Sequence, residues 1–167
     1  MVRGIANSKI GFGDLILLLR YFFKLKVSTH PIDIDFFKNY NDFYGHQMGD
    51  KVISSIAAAI KNSIRHVDFV ARYGGEEFVV LLPETPVQGA YSVAANIYKA
   101  IERQAIPHAA SLVSKYVTIS LGFTVYTGGL KMGQDRLIHA ADQALYRAKQ
   151  LGRNQIYYQP LQVAEIA

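Results

Sequence analysis

Arg72-Tyr73-Gly74-Gly75-Glu76-Glu77-Phe78 stands between two apolar runs, residues 68–72 and 78–82. Two such runs around a Gly-Gly turn read as a β-hairpin. Working outward, residues 48–64 repeat Val52, Ile53, Ile56, Ala57, Ile60 and Ile64 at helical spacing. Residues 32–35 read as the end of a strand, and residues 14–26 as a helix apolar nearly all round, which must be covered on several sides. After the hairpin, residues 87–104 form a helical pattern with Ala90, Val93, Ala94, Ile97 and Ile101 on one face. Residues 116–126 are a strand of the Val/Thr/Ile/Phe type. Gly128-Gly129 marks a turn, and residues 134–150 place Leu137, Ile138, Ala141, Ala144, Leu145 and Ala148 inward. Gly152 stops that helix, and residues 154–158 read as a last short strand. Strands alternating with helices, with one hairpin inserted, predict an α+β domain whose helices cover a mixed or antiparallel sheet. There is no repeat, low-complexity stretch or internal linker, so one domain over residues 1–167 is expected.

Composition bounds the partners. Of 167 residues half are apolar and 19% charged, ordinary for a globular protein. Cysteine is absent, which excludes disulfides and thiolate metal sites and fits a reducing, cytoplasmic compartment. The formal charge of +5 favours an anionic partner, or is simply a solvated, mildly basic surface. The apolar run at 15–19 ends at Arg20, and Lys24 and Lys26 follow soon after. It is far short of the ~20 residues a membrane span needs, so no span is expected.

Asp33 closes the first strand signal, with Asp35 two residues on and on the same face. Glu76 and Glu77 sit at the hairpin tip, where side chains project beyond the sheet edge. Hard divalent cations take a few carboxylate oxygens together with substrate phosphates, and two such ions can clamp a phosphoryl transfer. On residue type alone the plainer reading is surface carboxylates on loops. Lys149 and Arg153, four apart about a helix end, are a basic pair or a solvated basic face.

The hairpin segment resembles the signature turn of the GGDEF family, in its Gly-Gly-Glu-Glu-Phe form. Asp33-Ile34-Asp35-Phe36-Phe37-Lys38-Asn39-Tyr40-Asn41-Asp42, continued by Tyr44-Gly45-His46 and Gly49-Asp50, resembles that family's first-strand motif. Ala141-Asp142, Ala144-Leu145-Tyr146, Ala148-Lys149 and Gly152-Arg153-Asn154 resemble its last helix and exit. The likeness runs from about Pro31 to Tyr158. A Gly-Gly-Glu-Glu tetrad alone is weak; three motifs in register are specific. The resemblance implies a ferredoxin-like, palm-type fold and a diguanylate cyclase, a Mg²⁺- or Mn²⁺-dependent enzyme that joins two GTP molecules into cyclic di-GMP with about two ions per site.

Residue by residue, the resemblance implies that Asp33 and the Ile34 carbonyl bind metal. It implies that Glu76 binds metal and takes the ribose 3′-hydroxyl proton, with Glu77 as a further ligand. Asn41 and Asp50 would read guanine, and His46 would touch substrate. The backbone amides of Phe36, Phe37 and Lys38 would hold phosphates, and Lys149 and Arg153 would neutralise the triphosphate. Asp50 can accept from guanine N1–H and the amine, and Asn41 can donate to guanine acceptors. Gly74 and Gly75 suit a turn that needs positive φ and lets phosphates approach the backbone. Arg65-x-x-Asp68 matches a product-inhibition site; the plainer alternative is a helix-end Arg with a capping Asp.

Residues 1–31 depart from the family pattern. Arg3 stands where Thr is usual, and the helix at 14–26 lacks the usual charged face. Thr29-His30-Pro31 falls where a buried central strand belongs, and proline is disfavoured there; the full length of the first strand is therefore not expected. The resemblance implies a homodimer of facing domains, joined through an upstream sensory or dimerising region. Rival readings are an idle GGDEF domain that only binds GTP or cyclic di-GMP, another palm-type cyclase or polymerase, and a nucleic-acid binder. Intact Asp33, Glu76, Glu77 and Lys149 argue against the first. Asn41 with Asp50 argues against the second. The lack of an aromatic-basic stripe argues against the third.

Overall fold

The computed structural model describes residues 26–127 and 134–161. The helix expected over 14–26 lies outside them, apart from Lys26, which is not helical, and so does the turn at Gly128-Gly129. The chain runs β1 (Val27–Ile34), α1 (Phe37–Tyr44), α2 (His46–Asn62), β2 (Phe69–Arg72), β3 (Glu77–Pro83), α3 (Val87–Glu102), β4 (Ile119–Tyr126), α4 (Gln134–Gln150) and β5 (Ile156–Tyr158). The sheet order is β2-β3-β1-β4-β5. Every pairing is antiparallel except β4 with β5. The first four strands, with their helical crossovers, make the ferredoxin-like α+β core, and α4 with β5 extend it past β4. No helix among the described residues is long and apolar enough to cross a membrane.

Strand alternation splits the apolar residues between two faces. Ile32, Ile34, Phe78, Val80, Leu82, Ile119, Leu121 and Phe123 pack under α1, α2 and α3. Val27, Val79, Leu81 and Tyr126 pack with Leu137 and Ile138 of α4 on the other face. The buried residues Ala141, Ala144 and Ala148 let α4 lie close to the sheet. It lies closest over Gly122, where a Cβ would run into the backbone of Ala144 and Leu145.

Contrary to the expectation from Pro31, β1 is full length and is the central strand, pairing with β3 from Val27↔Pro83 to Asp33↔Glu77. Antiparallel alternation explains how the proline is tolerated. The Ile34 N–H donates to the Glu76 carbonyl and the Asp35 N–H to the Thr118 carbonyl. Counting back, the nitrogen of Pro31 faces β4. The β1–β4 register accordingly runs from Val27↔Tyr126 to Thr29↔Thr124 and resumes at Ile32↔Leu121. One ladder is interrupted and the other is intact. His30 is wholly buried, stacked on Phe123 and 2.8 Å from the Ser28 hydroxyl. Burial pulls its pKa down to about 3, so it sits in the core as neutral imidazole.

Other boundaries differ as well. The segment after β1 is not only a turn: Phe36 adopts φ 53 and α1 follows at once. β4 begins at Ile119, and Tyr116 instead makes an isolated bridge to Pro107.

Candidate active site

The carboxyl end of β1 and the β2–β3 turn meet on one edge of the sheet. Asp33 pairs with Glu77, and the Ile34 N–H reaches the Glu76 carbonyl at 3.3 Å. The strand end and the hairpin tip are thus clasped through backbone. The turn closes on the Glu77 carbonyl, which accepts from the Tyr73 N–H at 2.8 Å and the Gly74 N–H at 3.2 Å. Arg72 clamps it from outside: its Nε donates to the Gly74 and Gly75 carbonyls, and its Nη2 to Gly75 at 2.5 Å. Sequence reasoning did not assign Arg72 a role, because a main-chain carbonyl leaves no residue-type signal.

Neither Gly74 nor Gly75 has positive φ, contrary to the turn chemistry expected of them. Gly74 is needed for space instead, since a Cβ there would stand 2.6 Å from Glu77 Oε2. Gly75 is exposed and borders open space on its Cβ side.

Lys149 on α4 reaches across the sheet and pairs with Asp33, Nζ to Oδ2 2.7 Å. Burial is the main cause that pushes Asp33 up to about 6; the Lys149 hydrogen bond and charge oppose it, and the Glu76 and Glu77 charges add to it. Glu76 is likewise pushed up, first by burial, against Lys149 and with Glu77. Asp33 and Glu76 therefore share one electrostatic environment with Glu77 and the Lys149 ammonium. Among the described residues no three carboxylates, imidazoles or thiolates already converge on one ion position. The donor set nevertheless suits a hard cation that keeps part of its shell for waters and phosphates. Two oxygen ligands are enough, and an excess of negative charge is already present.

Most of the residues expected on the substrate side lie around α1. Phe36 opens that helix, and the first-turn N–H groups behind it have no intrahelical partner. The Phe37 ring is core, stacked with Tyr40, so only its backbone can serve a ligand; Lys38 is exposed. Arg153 lies over the Phe36 ring, its guanidinium carbon 4.5 Å from the centroid. Lys149 pairs with Asp33 and Arg153 covers the Phe36 ring, and the two are not neighbours on a helix. α4 ends at Gln150 and turns at Gly152, φ 113, with the Arg153 N–H returning to the Ala148 carbonyl and the Gly152 N–H to Lys149. This is the Schellman arrangement. Asn41 packs against Gly49, where a Cβ would collide with its Oδ1, and Asp50 follows, exposed, on α2. The Asn41 Oδ1 is buried without a hydrogen-bond partner, an acceptor still waiting for a donor. His46 is exposed at the first position of α2.

A family model for the diguanylate cyclase GGDEF domain matches residues 24–155. The chain belongs to the GGDEF-domain family. It is 45% identical over 133 residues to diguanylate cyclase A of Treponema denticola, a match covering 80% of this chain and 35% of that protein. The GGDEF domain of DgcB from Caulobacter crescentus, in a structure with c-di-GMP, superposes with a TM-score of 0.77 at 26% identity, over 95% of this chain and 98% of that one. The active GGEEF domain of a Vibrio cholerae diguanylate cyclase gives 0.69 at 29% identity, covering 90% and 92%.

In this GGDEF domain Asp35 is not part of the carboxylate cluster, although it lies two residues from Asp33. It is wholly buried and accepts from the Thr118 hydroxyl at 2.8 Å, the Ser120 hydroxyl at 2.7 Å and the Asn154 N–H at 3.0 Å. His108, buried in the loop after α3, is 3.1 Å from the Phe36 carbonyl through Nε2. Arg65 and Asp68 lie together before β2 but face one another. Arg65 Nη2 donates to Asp68 Oδ1 at 2.7 Å, to Thr85 Oγ1 at 2.8 Å and to the Pro83 carbonyl at 3.1 Å.

The raised pKa of Asp33 gives a pH signature. Its folded value of about 6 lies above the ordinary 3.8, so the fold favours the protonated form. That contribution is full below about 3.8 and is lost as pH rises through about 6. In EDTA, Asp33→Asn should therefore be more stable than wild type at pH 7, by at most about 3 kcal/mol, the linkage for that shift. The difference should shrink towards pH 4. Urea titrations of both proteins across this range test it, and a difference independent of pH would refute it.

Proposed function

We propose that this GGDEF domain is a diguanylate cyclase. The observation that carries the reading is the clasp that brings Asp33 and the Glu76-Glu77 pair together, with Lys149 2.7 Å from Asp33. In the reaction, the ribose 3′-oxygen of one GTP attacks the α-phosphorus of another. The new P–O bond forms as the bond to the bridging β-oxygen breaks and pyrophosphate leaves. Glu76 takes the 3′-hydroxyl proton. The step occurs twice and yields cyclic di-GMP and two pyrophosphates. Mg²⁺ or Mn²⁺, about two per site, held by Asp33, Glu76, Glu77 and the Ile34 carbonyl, would neutralise charge on the reacting phosphates.

The chain's own groups do the rest. Lys149 and Arg153 balance the triphosphate, with the amides at Phe36, Phe37 and Lys38 and the exposed turn at Gly75 and its neighbour Gly74. Asn41 and Asp50 read guanine and His46 adds a contact. The orphaned Asn41 Oδ1 favours its accepting from a guanine N–H, where the sequence had suggested a donor. Each domain carries one GTP, so two copies face each other, brought together by a dimerising or sensory region of the protein. The reaction places the domain in the cytoplasm, where GTP is available.

The test is incubation of the dimerised domain with GTP and Mg²⁺, with ATP in parallel, followed by chromatography. Cyclic di-GMP from GTP and no product from ATP is expected, because mismatched buried polar groups cost about 1–3 kcal/mol each. Binding of GTP without turnover would leave a receptor in place of an enzyme.

Product inhibition at Arg65 and Asp68 is a further part of the proposal. A ligand there has to take the guanidinium away from Asp68, Pro83 and Thr85. Arg65→Ala should then weaken cyclic di-GMP binding about tenfold or more, the scale of a charge-assisted contact. Calorimetry alongside initial rates checks it. Unchanged product affinity would leave Arg65 as the clip that joins the start of β2 to the end of β3.

A further inference from the structure

Arg153 and Asn154 are consecutive non-glycine residues in the left-handed region, at φ 64 and φ 48. Such residues persist only where their surroundings determine them. Here the surroundings are specific. The Arg153 N–H is held by the Ala148 carbonyl, and the Asn154 N–H by the buried Asp35 carboxylate at 3.0 Å. Asp35 is itself fixed by the Thr118 and Ser120 hydroxyls of the β4 side. From α3, the Tyr98 hydroxyl lies 2.7 Å from Asn154 Oδ1 and 3.1 Å from its carbonyl oxygen. The outcome of this relay is the position of one cation, Arg153, over the ring of Phe36, whose own φ of 53 forms the turn into α1.

We propose that Tyr98, through Asn154 and the Asp35 anchor, is a positioning residue that sets the affinity of the site for the triphosphate of its nucleotide. Tyr98 touches no substrate; it acts by holding Arg153 in a backbone conformation that the chain would otherwise leave. The inference rests on the cyclase reading for the identity of the ligand, and its readout separates the two. Asp35 would be the weaker probe, since removing a buried carboxylate with three donors disturbs the fold itself. Tyr98→Phe deletes one hydroxyl and keeps the ring.

The experiment measures calorimetric binding of 3′-deoxy-GTP, which cannot react, and of GMP, both with Mg²⁺. Tyr98→Phe should lower the affinity for 3′-deoxy-GTP roughly fivefold, the scale of one neutral hydrogen bond, and leave GMP binding unchanged. Asn154→Gly, which suits the left-handed backbone and keeps the carbonyl but lacks the nearer side-chain acceptor, should act in the same direction. In an Arg153→Ala background neither substitution should have any further effect, because effects routed through one residue do not add. A purely structural Tyr98 would weaken both ligands alike or neither, and an equal loss in the Arg153→Ala background would also overturn the proposal. Failure of the wild-type domain to bind 3′-deoxy-GTP would instead overturn the cyclase reading.

Discussion

Glu76→Gln is expected to lower cyclic di-GMP synthesis by at least about 100-fold, the scale of losing a general base, while the fold survives. The side chain is half-buried at the hairpin tip, and its shape is kept by the amide. Its backbone, which accepts from Ile34, is untouched. What changes is charge: the site loses one of three carboxylates near the Lys149 ammonium, and with it the proton acceptor and metal oxygen of the proposed reaction. Because burial and Glu77 already push Glu76 up, the amide should if anything relieve the ligand-free domain. The measurement is product formation from GTP and Mg²⁺ together with a urea titration. Near-normal synthesis would remove Glu76 from the chemistry, and loss of activity with loss of folding would make it structural.

The largest effect on stability should come from a residue with no side chain. A Cβ on Gly122 would stand 2.6 Å from the Ala144 carbonyl carbon and 2.7 Å from the Leu145 Cα, and closer still to the Leu145 nitrogen. These are backbone atoms in mid-helix and cannot turn aside. Gly122→Ala must therefore lift α4 off β4, and a cost of about 3 kcal/mol, the upper end for overpacking, is expected. Since α4 carries Lys149 and ends at the turn before Arg153, activity should fall as well. Gly75→Ala is the control, because nothing lies within 4 Å of a Cβ there; its stability should stay within about 0.5 kcal/mol of wild type. Denaturant titrations that gave the two variants equal stability would contradict this account of the α4–β4 contact.

The hairpin, the long helices and the carboxylates were legible because each is written locally. The turn spans a few residues, and the helical faces repeat at fixed spacing. α1 was not legible as a helix: Phe36 gives no side-chain cap and the first turn has no acidic residue, so the usual start signals are missing. Pro31 misled because one residue cannot reveal which neighbouring strand its nitrogen faces. Asp35 looked like a second metal carboxylate. Its true partners, Thr118, Ser120 and Asn154, lie 83, 85 and 119 residues away, beyond any local pattern. The metal and guanine assignments came from motif likeness; residue type and spacing alone favoured plain surface carboxylates.

The place of β1 at the middle of the sheet has a kinetic side. Its register joins Val27 to Pro83 on one flank and to Tyr126 on the other. By contrast, β2 and β3 close a short loop, with Arg72 opposite Phe78. Loop-closure entropy must be met before distant pairings return any stabilisation, so topologies with such separations fold slowly. The hairpin that bears Glu76 can form early and alone. Asp33 reaches it only when the central strand is paired, and Lys149 only when α4 packs on the sheet. The acidic cluster and its cation are therefore joined through pairings distant in sequence, whereas the hairpin that bears Glu76 needs none.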